Sequence, residues 1–205
     1  MKISPRFHDA LSLASEVHAG QVRKGTQIPY IAHVIGVTSI VLRFGGNEDE
    51  AIGGLLHDTI EDAKPPLTPD ILRARIRDQF GDLVLEIVEG CTDSDVTPKP
   101  PWLKRKEAYI ARVAGEPAPV ILVSAADKLH NATAILNDYR AFHDNLWMRF
   151  NPEAGKAGTV GYYRGLVTAY RSTGHHKELI NALDTVVGQL EAETGHKGKW
   201  PPNRA

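Results

Sequence analysis

The chain has 205 residues, enough for one domain with a sizeable core, and its 42% hydrophobic and 24% charged residues are ordinary for a globular protein. A formal net charge of −1 argues against a broad basic surface for nucleic acid, and the lone Cys91 excludes an internal disulfide and a cysteine-based zinc site. No apolar run approaches the roughly 20 residues that span a bilayer, and no secretory signal opens the chain. We therefore expect a cytoplasmic protein with a buried thiol and with neither a membrane nor a nucleic-acid partner.

Helical periodicity dominates the chain. Ser4 followed by Pro5 predicts the start of a first helix, and a second periodic segment covers residues 31–44. Asn47 and Glu50 have the spacing of a capping box, which predicts a third helix start. Residues 120–139 begin with an apolar run that would also suit a buried strand, but the helical spacing continues and favours one long buried helix.

These elements predict an all-α fold. We expect a single domain whose core covers residues 1–140, with C-terminal helices in 141–194 packing on that core as an extension. Residues 195–205 have the composition of a loose polar tail.

The stretch LLHDTIED at residues 55–62 concentrates polar groups on what the apolar pattern predicts to be a buried helix. Residues four apart share a helix face, so His57 would pair with Glu61 and Asp58 with Asp62. Buried carboxylates without a partner are costly, which favours a metal ion or a cation nearby. A helix end with solvated acids remains the alternative. The glycines at 53–54 predict that something packs closely against this helix.

Two more polar residues lie on predicted helices, His33 in the second helix and Asp127 in the long helix. Each alone would suit a structural role, His33 as a core or cap group and Asp127 in an ion pair. Together with His57 and Asp58 they supply two imidazoles and two carboxylates, which suit Mn²⁺ or Fe²⁺ with positions left for water and substrate. Such an ion would supply hydroxide near neutral pH.

Other groups have possible roles near such a centre. Glu61 and Asp62, one turn beyond His57 and Asp58, would orient the water or take its proton. Asn131 shares a helix face with Asp127. Arg23 and Lys24 are adjacent cations in the loop at residues 20–30, which would otherwise be a solvated basic loop.

At these residues the sequence resembles the HD-domain metal-dependent phosphohydrolases, and in particular the alarmone hydrolase domain of the RelA/SpoT superfamily and its small stand-alone hydrolases, enzymes of the stringent response. The resemblance covers about residues 7–140. The matching blocks, in the family's order, are GQVRK at 20–24, PYIAH at 29–33, LLHDTIED at 55–62, FG at 80–81, EGCT at 89–92 and ADKLHN at 126–131.

The resemblance implies an all-helical HD-domain fold and the Mn²⁺-dependent hydrolysis of guanosine tetra- and pentaphosphate to GDP or GTP plus pyrophosphate. It assigns roles to nine residues: metal binding to His33, His57, Asp58 and Asp127, assistance to the attacking water to Glu61 and Asp62, and substrate binding to Arg23, Lys24 and Asn131. The expected partner is therefore a small nucleotide, and the oligomeric state is left open.

Three positions depart from the family pattern. Val34 replaces a proline, Asp93 replaces a lysine, and Ser124 lies in a block that usually contains a lysine. Fewer cations near a polyphosphate site keep a second hypothesis open, a phosphohydrolase acting on another nucleotide such as a nucleoside monophosphate or the 2′-phosphate of NADPH. A nucleotide-binding module without catalysis is a third hypothesis, against which the complete ligand set argues.

Overall fold

The computed structural model describes residues 2–96 and 98–202. Within these ranges the chain forms nine α-helices, one 3-10 helix and no β-strand, with only isolated bridges at Val22 with Pro29 and Lys64 with Leu67. The helices are α1 Pro5–Val17, α2 Ile31–Arg43, α3 Glu48–Leu56, α4 Pro69–Phe80, α5 Asp82–Cys91, α6 Trp102–Val113, α7 Ala118–Phe142, the 3-10 helix His143–Arg149, α8 Gly155–Thr173 and α9 Lys177–Thr194. The all-α prediction is confirmed. No helix of the described part has the length and apolar content needed to cross a bilayer.

Local sequence explains where the helices begin. The Ser4 hydroxyl accepts a hydrogen bond from the Arg6 N–H, and Pro5 occupies the first position of α1, where a missing N–H costs little. At α3 the capping box is complete in both directions, since Asn47 and Glu50 each accept the other's backbone N–H. The predicted long helix is confirmed as α7.

Contacts between residues divide the chain into two units. The first contains Pro117–Asp127 and the described residues up to Lys99, and the second contains Pro100–Glu116 and the described residues from Lys128 onward. Helix α7 therefore contributes residues to both units. The predicted domain boundary at residue 140 stays a prediction.

In the first unit, α3 packs unusually close to its neighbours. A Cβ atom added to Gly53 would lie 2.5 Å from Cγ2 of Ile87 on α5, and one added to Gly54 would lie 3.1 Å from Oγ1 of Thr38 on α2. Both glycines therefore serve the close packing that the sequence predicted. Cys91 is buried at the end of α5, as expected.

In the second unit, the described part of the C-terminal segment packs on α8. A Cβ at Gly165 would lie 2.7 Å from Trp200, whose ring centroid lies 5.6 Å from that of Tyr162 and 6.0 Å from that of Trp102. This differs from the loose tail that we expected from the composition. The reason is that one tryptophan adds a large apolar area, which it buries among aromatic rings.

Candidate metal centre

The four predicted metal ligands meet inside the first unit. His33 lies on α2, His57 and Asp58 follow α3, and Asp127 lies on α7. Nε2 of His33 is 3.1 Å from Oδ1 of Asp127, and Nε2 of His57 is 3.0 Å from Oδ2 of Asp58. The two crossed pairs, His33 with Asp58 and His57 with Asp127, are each separated by 3.6 Å. Both histidines are 1% exposed and Asp127 is 5% exposed, so the donors form one buried cluster.

The segment that carries His57 is not the regular helix predicted for residues 55–62. Helix α3 ends at Leu56, and residues 57–62 continue as turns. The ring Nδ1–H of His57 donates to the carbonyl of Gly54 at 2.9 Å, and the hydroxyl of Thr59 donates to the carbonyl of Leu56 at 2.7 Å. These side chains take carbonyls that a continuing helix would use, which explains why the helix ends here.

The predicted spacing of Asp58 and Asp62 is kept in these turns. The N–H of Asp62 donates to the carbonyl of Asp58 at 2.9 Å, so the two acids remain one helical turn apart.

The hydrogen bond to Gly54 also sets the tautomer of His57. With its proton on Nδ1, the imidazole directs the lone pair of Nε2 into the cluster, as metal-binding histidines do. Nε2 of His57 is buried, and among the described residues it has no partner with hydrogen-bond geometry although Asp58 lies close. A buried imidazole nitrogen that faces two carboxylates, Asp58 at 3.0 Å and Asp127 at 3.6 Å, suits a shared cation, so the residues present fit a divalent metal ion.

The charges of the cluster also favour a bound cation. Burial alone would lower the pKa of His57, but the Asp58 carboxylate, and then Asp127, raise it well above its ordinary value. Burial would raise the pKa of Asp58, but His57 and then His33 lower it well below its usual range. The imidazole of His57 thus retains a proton that compensates the charge of the carboxylates, and a metal ion would displace this proton on binding.

The predicted acid pair has partners of a different kind. Glu61 accepts an ion-pairing hydrogen bond from Nζ of Lys99 at 2.7 Å on one oxygen and the N–H of Asp93 at 3.1 Å on the other. Asp62 accepts a hydrogen bond from the side-chain amide of Gln21 at 2.7 Å. Both carboxylates are only half-buried, so their protein contacts leave them some access to solvent.

Three residues beside the cluster received no role from the sequence. The Tyr30 hydroxyl donates to Oδ2 of Asp58 at 2.6 Å. Gln21 bridges Asp62 and His18, and His18 is buried. Gln21 and Tyr30 lie inside the motif blocks at 20–24 and 29–33, which was the only signal available, because no spacing rule connects this loop to residues 58 and 62.

The predicted substrate-binding residues lie in both units. The Arg23 guanidinium lies 5.6 Å from the centroid of the Tyr30 ring, and the neighbouring Lys24 is exposed. Asn131 lies on α7 in the second unit. Their substrate-binding roles stay predictions.

Comparisons with known proteins agree with this geometry. A sequence model of the HD domain matches residues 10–152. A Xenopus tropicalis protein named guanosine-3′,5′-bis(diphosphate) 3′-pyrophosphohydrolase MESH1 is 36% identical over 126 residues, which cover 60% of this chain and 65% of that protein. A Streptomyces coelicolor protein named GTP pyrophosphokinase is 33% identical over 124 residues, 60% of this chain but 14% of that protein.

A solved structure also matches over most of the chain. It is described as a metazoan ortholog of SpoT that hydrolyses ppGpp and plays a role in starvation responses. It aligns with a TM-score of 0.72 and 25% identity over 92% of this chain and 97% of that one. With the family match covering more than half of the residues, this chain belongs to the HD-domain family.

Proposed function

We propose that this protein is a metal-dependent phosphohydrolase that removes the 3′-pyrophosphate of guanosine tetra- and pentaphosphate, yielding GDP or GTP and intact pyrophosphate. The observation that carries the proposal is the meeting of His33, His57, Asp58 and Asp127 in one buried cluster. The names of the Xenopus relative and of the matching metazoan structure support the alarmone as substrate.

We propose Mn²⁺ as the ion held by these four residues, since two imidazole nitrogens and two carboxylate oxygens suit it. The chemistry that such an ion supplies is the activation of water near neutral pH and the polarisation of a phosphoryl oxygen. The protein's part is to fix the donors in position. His57 does so through its bond to Gly54, and His33 through its place in the first turn of α2.

The remaining roles fall to residues around the cluster. Glu61 and Asp62 accept the proton of the attacking water, which requires a carboxylate within hydrogen-bond reach of it. Arg23 and Lys24 bind the phosphates, since adjacent cations suit a ligand with more than one phosphate. Asn131 contributes a contact to the nucleotide.

One observation favours a second candidate, a phosphohydrolase acting on a nucleoside monophosphate or on the 2′-phosphate of NADPH. Asp93 lies beside Glu61 through its backbone bond, so an extra anion stands near the acid pair. Lys99 opposes this effect, since its ammonium group pairs with the same carboxylate at 2.7 Å. A cation at that place keeps the polyphosphate substrate as the first candidate.

Product analysis distinguishes the two candidates. Purified protein with added Mn²⁺ is incubated with guanosine tetraphosphate, guanosine monophosphate and NADPH in parallel, and the products are separated by anion-exchange chromatography. We expect guanosine diphosphate and pyrophosphate from the tetraphosphate. The His57→Ala variant serves as the control for a contaminating phosphatase.

The opposite pattern would overturn the proposal. Inertness toward the tetraphosphate, together with release of orthophosphate from NADPH or the monophosphate, would assign the second candidate. Turnover that persists in His57→Ala would show that the activity comes from another protein.

A further inference from the structure

Three residues ahead of α2 make contacts that neither the ligand set nor the acid pair explains. His18, Gln21 and Tyr30 all lie in the first unit, and we call them the support cluster. Tyr30 bonds a predicted metal ligand, Asp58, and Gln21 bonds a member of the predicted acid pair, Asp62. These two acids are separated from the support cluster by 28 and 41 positions along the chain, so the contacts depend on the fold.

The Tyr30 contact is made to a specific oxygen. Its hydroxyl donates at 2.6 Å to Oδ2 of Asp58, the same atom that lies 3.0 Å from Nε2 of His57. A carboxylate oxygen has two lone pairs, so it can accept the phenol and still face the imidazoles. Because the Asp58 side chain is 19% exposed, the bond with Tyr30 keeps it from turning toward water.

The packing of the Tyr30 ring helps to direct its hydroxyl. The ring lies against the buried ring of His18 with centroids 4.8 Å apart, which restricts the direction of the hydroxyl.

Gln21 acts on the second acid. Its side-chain amide donates to Oδ2 of Asp62 at 2.7 Å, while its oxygen lies 3.0 Å from Nδ1 of His18 and accepts a hydrogen bond from the N–H of that ring. Burial lowers the pKa of His18, although the bond with Gln21 opposes this effect, and a neutral ring with its proton on Nδ1 satisfies the contact. A flipped amide would set two oxygens against each other at Asp62 and two N–H groups against each other at His18, so both partners fix the orientation of Gln21.

Backbone hydrogen bonds close the loop that carries Gln21 and Tyr30. The Tyr30 N–H donates to the carbonyl of Gln21 at 2.9 Å, and the Arg23 N–H donates to the carbonyl of Ile28 at 2.8 Å. The loop therefore closes as a small hairpin that presents Gln21 and Tyr30 side by side. Gly20 starts it at φ 71°, a left-handed conformation that a glycine adopts without strain.

From these contacts we infer that Tyr30 and Gln21 are positioning residues, Tyr30 holding Asp58 in its metal-binding orientation and Gln21, oriented by His18, holding Asp62 toward the reacting water. The inference thus has two halves. The role of Tyr30 concerns metal binding alone, and the role of Gln21 rests on the proposed function.

The test separates the two halves. Tyr30→Phe removes one oxygen and keeps the ring packing, so we expect a folded protein whose affinity for Mn²⁺, measured by isothermal titration with the metal alone, falls roughly 10–100-fold, as for other residues that orient metal ligands. Tyr139→Phe, a similar change in the second unit, is the matched control and should bind Mn²⁺ as the wild type does. Wild-type affinity in Tyr30→Phe would overturn this half, whatever the substrate proves to be.

For Gln21, the variant is Gln21→Met, which keeps the length and removes both amide contacts. We expect unchanged Mn²⁺ affinity and KM with a kcat on guanosine tetraphosphate lowered roughly 10–100-fold, and the same direction in His18→Phe. Gln27→Met, an exposed change in the same loop, should leave kcat unchanged.

Wild-type kcat in both Gln21→Met and His18→Phe, with an active wild-type enzyme, would overturn the role of Gln21 and leave the proposed function intact. A wild-type enzyme inert toward the tetraphosphate would contradict the proposed function and this half together, and the Tyr30 titration would still stand.

Discussion

Two clusters of carboxylates, one in each unit, have their negative charge compensated by different groups. On α8 and α9 of the second unit, Arg164 bonds Glu191 at 3.0 Å and also pairs with Asp184, which Arg171 contacts at 2.6 Å. In the first unit, Asp58 and Asp127 meet the imidazoles of His33 and His57. Guanidinium groups carry a permanent charge, whereas imidazoles are neutral unless protonated.

The difference shows how a functional centre differs from a structural ion-pair network. The Arg164 network contains its own cations and is complete as folded. The candidate metal centre contains carboxylates whose compensating charge is a displaceable proton on an imidazole, so a metal ion could take its place. The following predictions test this contrast, in order of decreasing effect.

The largest effect is expected from removing a ligand. His57→Ala or Asp127→Ala should abolish turnover and lower the bound metal, because each change deletes one of four donors. Metal content by elemental analysis and turnover of guanosine tetraphosphate measure both effects. Asp184→Asn removes a carboxylate from the other cluster and should keep the metal. Stoichiometric Mn²⁺ with normal activity in both ligand variants would refute the assignment of the site.

The acid pair should affect rate without affecting metal. Glu61→Gln and Asp62→Asn are expected to keep Mn²⁺ while losing roughly 10²–10⁴-fold in kcat, the usual range for general acid–base assistance. Steady-state kinetics and metal titration of each variant provide the two readings. Loss of metal would make that residue a ligand, and unchanged rates in both would favour acids with only a solvated, structural role.

In the second unit, the cation itself should matter for stability. Arg164→Leu leaves Asp184 and Glu191 without their shared partner and should lower the free energy of unfolding by roughly 1–3 kcal/mol, while metal binding stays unchanged. Urea titration followed by circular dichroism measures the change. Arg171→Leu, at a half-exposed arginine of the same network, is the control and should cost less than about 1 kcal/mol. Equal losses in the two variants would contradict a central role for Arg164.

The smallest effect is a dependence on pH. Burial raises the pKa values of Asp184 and Glu191, but Arg164 lowers both below their ordinary range. The unfolded chain then binds protons first as the pH falls, so the contribution to stability is complete above the unfolded pKa values near 4 and is lost as the pH drops below about 4. The urea midpoint should therefore decrease from about pH 5 to pH 3, and this slope should flatten in Arg164→Leu. An unchanged slope in that variant would assign the dependence to other acids.

Much of the fold was predictable because the signals are local. The caps at Ser4 and Asn47 lie within three residues of the groups they bond, and both predictions are confirmed. The glycines at 53–54 predicted close packing from an equally local signal, because the helix stability lost at a glycine depends on that residue alone. The prediction for residues 57–62 was wrong because side-chain bonds to the carbonyls of Gly54 and Leu56 replace the helical bonds there.

By itself the sequence determined the helical class, the helix starts and the four residues that meet in the candidate metal centre, since capping, periodicity and donor chemistry are properties of single residues and short spacings. Only the tertiary structure decided that Tyr30 bonds Asp58, that Gln21 bonds Asp62 and that Lys99 pairs with Glu61. These contacts join residues 28 to 41 positions apart. Their geometry follows from how the hairpin loop and the helices pack, and no periodic pattern along the chain records it.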